Sequence, residues 1–170
     1  EYVKKLTDEG CECGAHGLYH DGLLFRDRNT YEERMKRIAE ISARLNLKGF
    51  RSPSLHRNRD WMQDMPFEWD SSFPAWDPFQ PQPGGCECYE PFMLSENTIE
   101  LPVTLWQDFT IFEGLQQKSI DIWRSQIGIL HNHGALINII VHPDYFTGNE
   151  RVEYFRTLLE LLASLENTSI

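Results

Sequence analysis

The sequence predicts an α/β fold with a largely parallel sheet and helices outside it, either open or closed as a barrel. Three observations carry this expectation. Short strand-like segments alternate with helical patterns along the chain. The run "ALINIIV" (135–141) is almost continuously apolar, as a strand buried on both faces of a parallel sheet must be. The 170 residues, 41% of them hydrophobic, suffice for one domain with one core.

The elements follow in order. The chain opens "EYVKKLTDEG", where Tyr2, Val3 and Leu6 share one face of a helix already under way and Gly10 is its C-cap. Residue 1 is therefore expected to be an internal position of a longer protein. "CECGAHGLYH" reads as a short strand running into a loop. "TYEERMKRIAEISARLNLKG" (30–49) is a helix with Met35, Ile38, Ala39, Ile41 and Leu45 on its apolar side. Thr30 and Glu33 fit a capping box, and Gly49 would close the end.

"FRSPS" (50–54) is a short strand broken by Pro53, and "NRDWMQDM" (58–65) a brief helix capped by Asn58. "FEWDSSF" (67–73) and "IELPVTL" (99–105) are strands. Between them, residues 74–97 hold five of the nine prolines, a Gly-Gly pair and several aromatics. A connection this long and irregular points to a functional loop or lid. Residues 117–133 form a helix ended by Gly134, and 149–166 a final amphipathic helix capped by Asn149. No repeat, low-complexity tract or linker divides the chain, so one domain over 1–170 is expected.

Charge and composition exclude some partners. The formal charge is -10, from 16 basic and 26 acidic residues, with no Lys/Arg-rich run, which argues against nucleic acid. No apolar stretch approaches the length of a membrane span. Cys11 and Cys13, and again Cys86 and Cys88, form "CEC" pairs; these read as small hydrophobes on one strand face, as a metal site or as a disulfide. Four cysteines without a framework of bridges lean towards a reducing compartment, but compartment is otherwise open.

In parallel α/β folds chemistry gathers beyond the C-terminal ends of the strands. His16 and His20 follow the first strand, Arg51 and Ser54 the second, Asp70 lies in the third, and His142 ends the run 135–141. "HGLYH" sets two imidazoles four residues apart in a glycine-rich loop. It lacks the glutamate of a zincin helix, and two imidazoles need a third ligand to complete a catalytic zinc site. His142, held rigidly at a strand end, suits proton transfer. Arg51 needs a carboxylate partner if buried, and Asp70 is a candidate for that pairing or for orienting His142. His131 and His133 sit at a helix end and read as structural.

The motifs "HGLYHDG", "GFRSPS", "DSSFP…DPFQPQPGGC", "ELPVTL" and "HPDY", in this order from residue 16 to residue 145, resemble those of the polysaccharide deacetylases (carbohydrate esterase type 4). The resemblance implies a deformed (β/α) barrel and metal-dependent removal of N-acetyl groups from an amino-sugar polysaccharide or oligosaccharide. It makes His16 and His20 ligands of a divalent metal, usually zinc. It makes His142 the proton donor to the leaving amine, with Arg51 orienting the catalytic base and Asp70 positioning the histidine. Ser54 stands where many members have tyrosine, so a backbone N–H there would stabilise an oxyanion. Trp76, Phe79, Tyr89 and Phe92 of the aromatic loop would either stack on sugar rings or serve packing, with Trp61 and Trp106 left to the core.

The family's first motif, with two aspartates serving as base and third ligand, has no counterpart here. Asp8 and Asp21 are badly placed for it. The chain is accordingly expected to be the middle of a barrel with both ends cut away, inactive by itself. Two other readings stay open: a non-catalytic carbohydrate-binding domain of the same fold, and a structural zinc module built on the four cysteines.

Overall fold

Five very short strands form one sheet in the computed structural model, which describes residues 2–168. The strands are β1 (Gly14–Ala15), β2 (Gly49–Phe50), β3 (Trp69–Asp70), β4 (Phe92–Met93) and β5 (Ile99–Glu100). Their order is β1-β2-β3-β5-β4: the first four are parallel, and β4 adds an antiparallel edge beside β5. The register pairs Phe50 with Asp70 and Asp70 with Glu100. The α/β class and the parallel sheet follow the sequence expectation; β4, inside the proline-rich connection, was not anticipated.

The helices are α1 (Tyr2–Asp8), α2 (Arg28–Leu45), α3 (Asp121–Asn132) and α4 (Asn149–Ala163). Helix α2 lies against the sheet through Tyr31, Met35, Ile38 and Ser42, a stripe of helical spacing. Ile41 and Leu45, expected on that face, are exposed. The caps also differ from the capping-box expectation. Asp27 is the N-cap, its carboxylate accepting the Thr30 N–H and hydroxyl at 2.8 Å each, so Thr30 is a donor inside the first turn. The helix ends at Asn46 in the left-handed region, three residues before Gly49.

Gly49 serves a different need. A Cβ there would lie 2.0 Å from the Trp69 ring on the neighbouring strand, so only glycine lets β2 and β3 pair with that indole across them. At the last helix Gly148, not Asn149, is the N-cap. Helix α1 buries none of its residues: Tyr2 and Leu6 stand exposed, so the expected apolar face has no partner among the described residues. Residues 117–120 precede α3 instead of joining it, and Phe109–Gly114 form an unexpected π-helical turn.

Three apolar clusters build the core, the smallest of them Leu55, Val103 and Ile140. One, with Met35, Ile38, Phe50 and Phe67, fills the space between α2 and the sheet. Another, with Leu105, Phe112, Trp123 and Ile127, joins the π-turn, α3 and α4. Trp61 and Trp106 pack against these clusters, as expected of core tryptophans.

The run 135–141 departs most from expectation. It takes no regular secondary structure and forms no ladder in the sheet, and of its residues only Ile140 is buried. The reason lies at its centre. Asn138 uses its carbonyl to accept the N–H groups of Thr104 and Leu105, while its side-chain amide donates to Ser71 Oγ, Leu101 O and Pro102 O at 3.0–3.1 Å. A polar residue therefore anchors the segment beside the residues after β5. Barrel closure is not seen among the described residues.

If Asp27 caps α2, Asp27→Ala should cost about 1 kcal/mol in urea unfolding. Glu33→Ala, at the exposed position a capping box would have used, should leave stability within about 0.5 kcal/mol of the parent.

Candidate active site

A cavity of about 550 Å³ opens at the rim where β1 and β2 end, and the loops after them line it. His16 and His20 come from the loop after β1, and Arg51, Ser52 and Ser54 from the segment after β2. His142 and Tyr145 come from the end of the 135–141 run. Three histidines separated by up to 126 positions thus share one cavity.

The His16 and His20 rings face each other with centroids 5.4 Å apart. His16 Nδ1 lies 2.8 Å from the Arg51 carbonyl, which can only accept, so Nδ1 carries the proton and Nε2 keeps its lone pair. Surrounding protein desolvates the ring and pushes its pKa down. The Arg51 carbonyl opposes this, while the positive charge of neighbouring groups adds to it. The loop is tightly placed: Gly17 has φ +79°, and a Cβ there would lie 2.7 Å from Pro53. Ser54 and Leu55 both have positive φ, so the Ser-Pro-Ser turn holds Ser54 at the cavity wall in a conformation unusual for these residues.

His142 is gripped by Asp108, a residue that sequence reasoning missed. The fully buried Asp108 carboxylate accepts the His142 backbone N–H through one oxygen and lies 2.7 Å from Nδ1 through the other. The same carboxylate takes the Phe109 N–H at 2.8 Å. Nδ1 is thereby the protonated ring nitrogen, and Nε2 is free to work in the cavity. The only sequence signal was an aspartate just beyond a predicted strand, in "LPVTLWQD", 34 positions before its partner.

Asp70 does not orient His142, which corrects that expectation. It lies beneath the cavity, with no exposed surface, and accepts Ser72 N–H at 3.1 Å and Ser72 Oγ–H at 2.7 Å. Nor does Arg51 form a close ion pair with it. Arg51 donates Nε to Ser71 O at 2.9 Å and Nη2 to Ser71 Oγ at 2.7 Å, with Asp70 and Glu100 acting on its charge from farther away. Ser71 Oγ also receives the Asn138 amide and donates to Leu101 O. One hydroxyl thus ties Arg51 to β3 and to the segment carrying His142.

Glu100, next to Asp70 across β3 and β5, is also fully buried. Burial first, then the neighbouring Asp70 carboxylate, pushes its pKa up to about 11, so Glu100 is a neutral acid. Its Oε1 accepts the Phe73 N–H at 3.0 Å, and its proton is shared with Asp70. That proton gives Glu100 Oε2 a role, since as a bare carboxylate oxygen it would have no partner.

Trp76 and Tyr89 do not line the histidine cavity. They border a separate cavity of about 710 Å³, together with Trp106 and Ile129 of α3. The loop that carries them is no free lid. Buried Asp77 accepts from Phe79 N–H and Gln80 Nε2, and Gln107 donates to Gln80 at 2.7 Å, pinning the loop to the segment before the π-turn. His131 Nε2 lies 2.8 Å from the Glu166 carbonyl beyond α4, and His133 Nδ1 lies 2.8 Å from the Ile129 carbonyl within α3. The cysteines are free; Cys11 is exposed and the others half-buried.

His16 and His20 suit a metal in one respect: a ligating imidazole commonly donates its other N–H to a carbonyl, as His16 does. They remain two donors. Among the described residues no group of three or more His, Cys, Asp or Glu side chains is placed to hold a metal, and no carboxylate lines the histidine cavity. A four-cysteine zinc module is likewise unsupported.

No protein-family profile matches the chain, and no curated protein matches its sequence. The fold is similar to the crystal structure of a "putative polysaccharide deacetylase" from Mycobacterium smegmatis, with TM-score 0.71 and 18% identity over 97% of this chain. The chain spans 61% of that protein's length, and at this identity the likeness concerns the fold alone.

Two measurements check the site. Nitrogen-15 spectra of the imidazoles at mildly alkaline pH should show Nδ1–H tautomers for His16 and His142, and Asp108→Ala should remove that preference at His142 only. Glu100 bears on stability. Its raised pKa means that the unfolded chain loses this proton near pH 4.5 while the folded chain keeps it until about 11. Its contribution therefore falls as pH rises across that window. Glu100→Gln, which keeps a donor to Asp70, should gain stability relative to the parent between pH 5 and pH 9 in parallel urea titrations.

Proposed function

We propose that the chain carries part of the active site of a metal-dependent hydrolase that removes N-acetyl groups from an amino-sugar polymer or oligosaccharide. The observation that carries this reading is the convergence of His16, His20, Arg51 and His142 on one cavity, with the His16 and His142 Nε2 atoms left free. The fold likeness to a polysaccharide deacetylase supports it.

In this reading His16 and His20 would hold a divalent metal, zinc by its affinity for imidazole, and a bound zinc would supply a Lewis acid and an activated water. The chain's own residues do the rest. His142, protonated at Nε2, donates to the amine nitrogen as the C–N bond breaks, because an amide nitrogen leaves poorly as an anion. Asp108 keeps that ring turned towards the substrate. Arg51, fixed by Ser71, holds positive charge at the cavity wall, and the Ser54 N–H would donate to the oxyanion, since the N–H groups of Ser52, Leu55 and His56 already have acceptors. A base and a third metal ligand must come from residues other than those that line the cavity here.

A second reading, a non-catalytic saccharide-binding domain of the same fold, is favoured by the lack of any carboxylate among the described lining residues. Acetate release separates the two. In the protein as its gene encodes it, an N-acetylglucosamine oligomer should release acetate, and His142→Ala should slow this about 100-fold. An unchanged rate in the variant contradicts the proton-donor role. Saccharide binding with no acetate release favours the second reading.

A further inference from the structure

Beside the histidine cavity lies a second one of about 550 Å³, lined by Arg57, Arg59, Gln82, Cys86 and Cys88, with Phe73 and Phe92 beneath. Neighbouring stretches of chain serve both: Leu55, Gln80 and Pro81 line the first, while Arg57 and Gln82 line the second. Two arginines share this cavity, and no acidic side chain lines it.

Arg57 is only 9% exposed. Its Nη1 donates to Leu55 O at 2.9 Å and Gln82 O at 3.2 Å, which are neutral acceptors. Among the described residues no carboxylate lies within 4.0 Å of either guanidinium, although seven other ion pairs form in the molecule. The charged groups acting on Arg57 from farther off are Cys86 and Glu100. Burial pushes the Cys86 thiol up, and Glu100 is a neutral acid, so neither compensates the arginine. A buried cation without a counter-charge is costly unless something anionic reaches it.

The surroundings are built to present both guanidinium groups. Arg57 lies over the Phe73 ring, 5.8 Å from its centroid, and Arg59 over the Phe92 ring at 5.7 Å. The two rings meet edge to face at 6.5 Å. Stacking uses the faces of the guanidinium groups and leaves N–H edges to donate. Gln82 commits its side-chain Oε1 to the Arg57 backbone N–H at 2.8 Å, which leaves its side-chain NH₂ as a further donor.

We propose that this cavity is an oxyanion site, in which Arg57, Arg59 and the Gln82 amide take a carboxylate, phosphate or sulfate group. Planar forks of donors recognise such groups bidentately. The anion is either free in solution or borne by a sugar next to the one in the histidine cavity; only the second case rests on the hydrolase reading.

Calorimetric titration with inorganic phosphate and with glucuronic acid, at low ionic strength and neutral pH, tests the site without turnover. At least one probe should bind, and Arg59→Ala should weaken it about tenfold or more. Arg59 is exposed, so this variant should fold. Arg57→Lys keeps the charge but loses the fork and should also weaken binding, whereas the His16→Ala/His20→Ala variant should bind as the parent does. Tighter binding of glucuronate than phosphate assigns the site to a sugar-borne carboxylate; the reverse assigns it to a free or esterified phosphate. No binding by either probe overturns the proposal, as does binding that both arginine variants leave unchanged or that only the histidine variant loses.

Discussion

The grip of Asp108 on His142 is the interaction on which the candidate site depends. The segment 135–141 gains no ladder of sheet hydrogen bonds, so its position must come from elsewhere. Asn138 fixes its middle through Ser71, Leu101 and Pro102, and Asp108 fixes its end through both the backbone and the ring of His142. A buried carboxylate receiving three donors is strongly committed to one geometry. Without it, the histidine would sit on an irregular segment with no fixed ring orientation.

Below the cavity the same constraint recurs: polar groups taken out of water must find partners. Arg51 does so with Ser71, Asp70 with Ser72, and Glu100 by keeping its proton. This layer connects β2, β3 and β5 at the level where the strands end, so the loops bearing His16, Arg51 and His142 issue from one rigid floor. The strands are only two residues long, and side-chain bonds do much of the work that longer ladders would do.

Much of this frame was legible in the sequence. The places of β1, β2, β3 and β5 and the Met35 and Ile38 part of the α2 stripe follow from hydrophobic periodicity. What escaped were bonds between residues distant in sequence. Asp108 and His142 are 34 positions apart, and nothing local marks them as partners. Asp70 looked like the orienting carboxylate because it sits in a strand near the rim, yet its side chain points into the buried layer and meets Ser72. "ALINIIV" read as a doubly buried strand because the count of apolar residues outweighed Asn138, the one residue that sets its place. Asp27 was overlooked because Thr30 and Glu33 offered a pattern that the fold does not use.

The central claim is that His16 and His20 act as a ligand pair facing His142. The most direct test is zinc bound per chain at equilibrium, measured on the parent and on the His16→Ala/His20→Ala variant side by side. The account predicts zinc held by the parent and lost in the variant. Equal zinc in both, or zinc in neither, would contradict it.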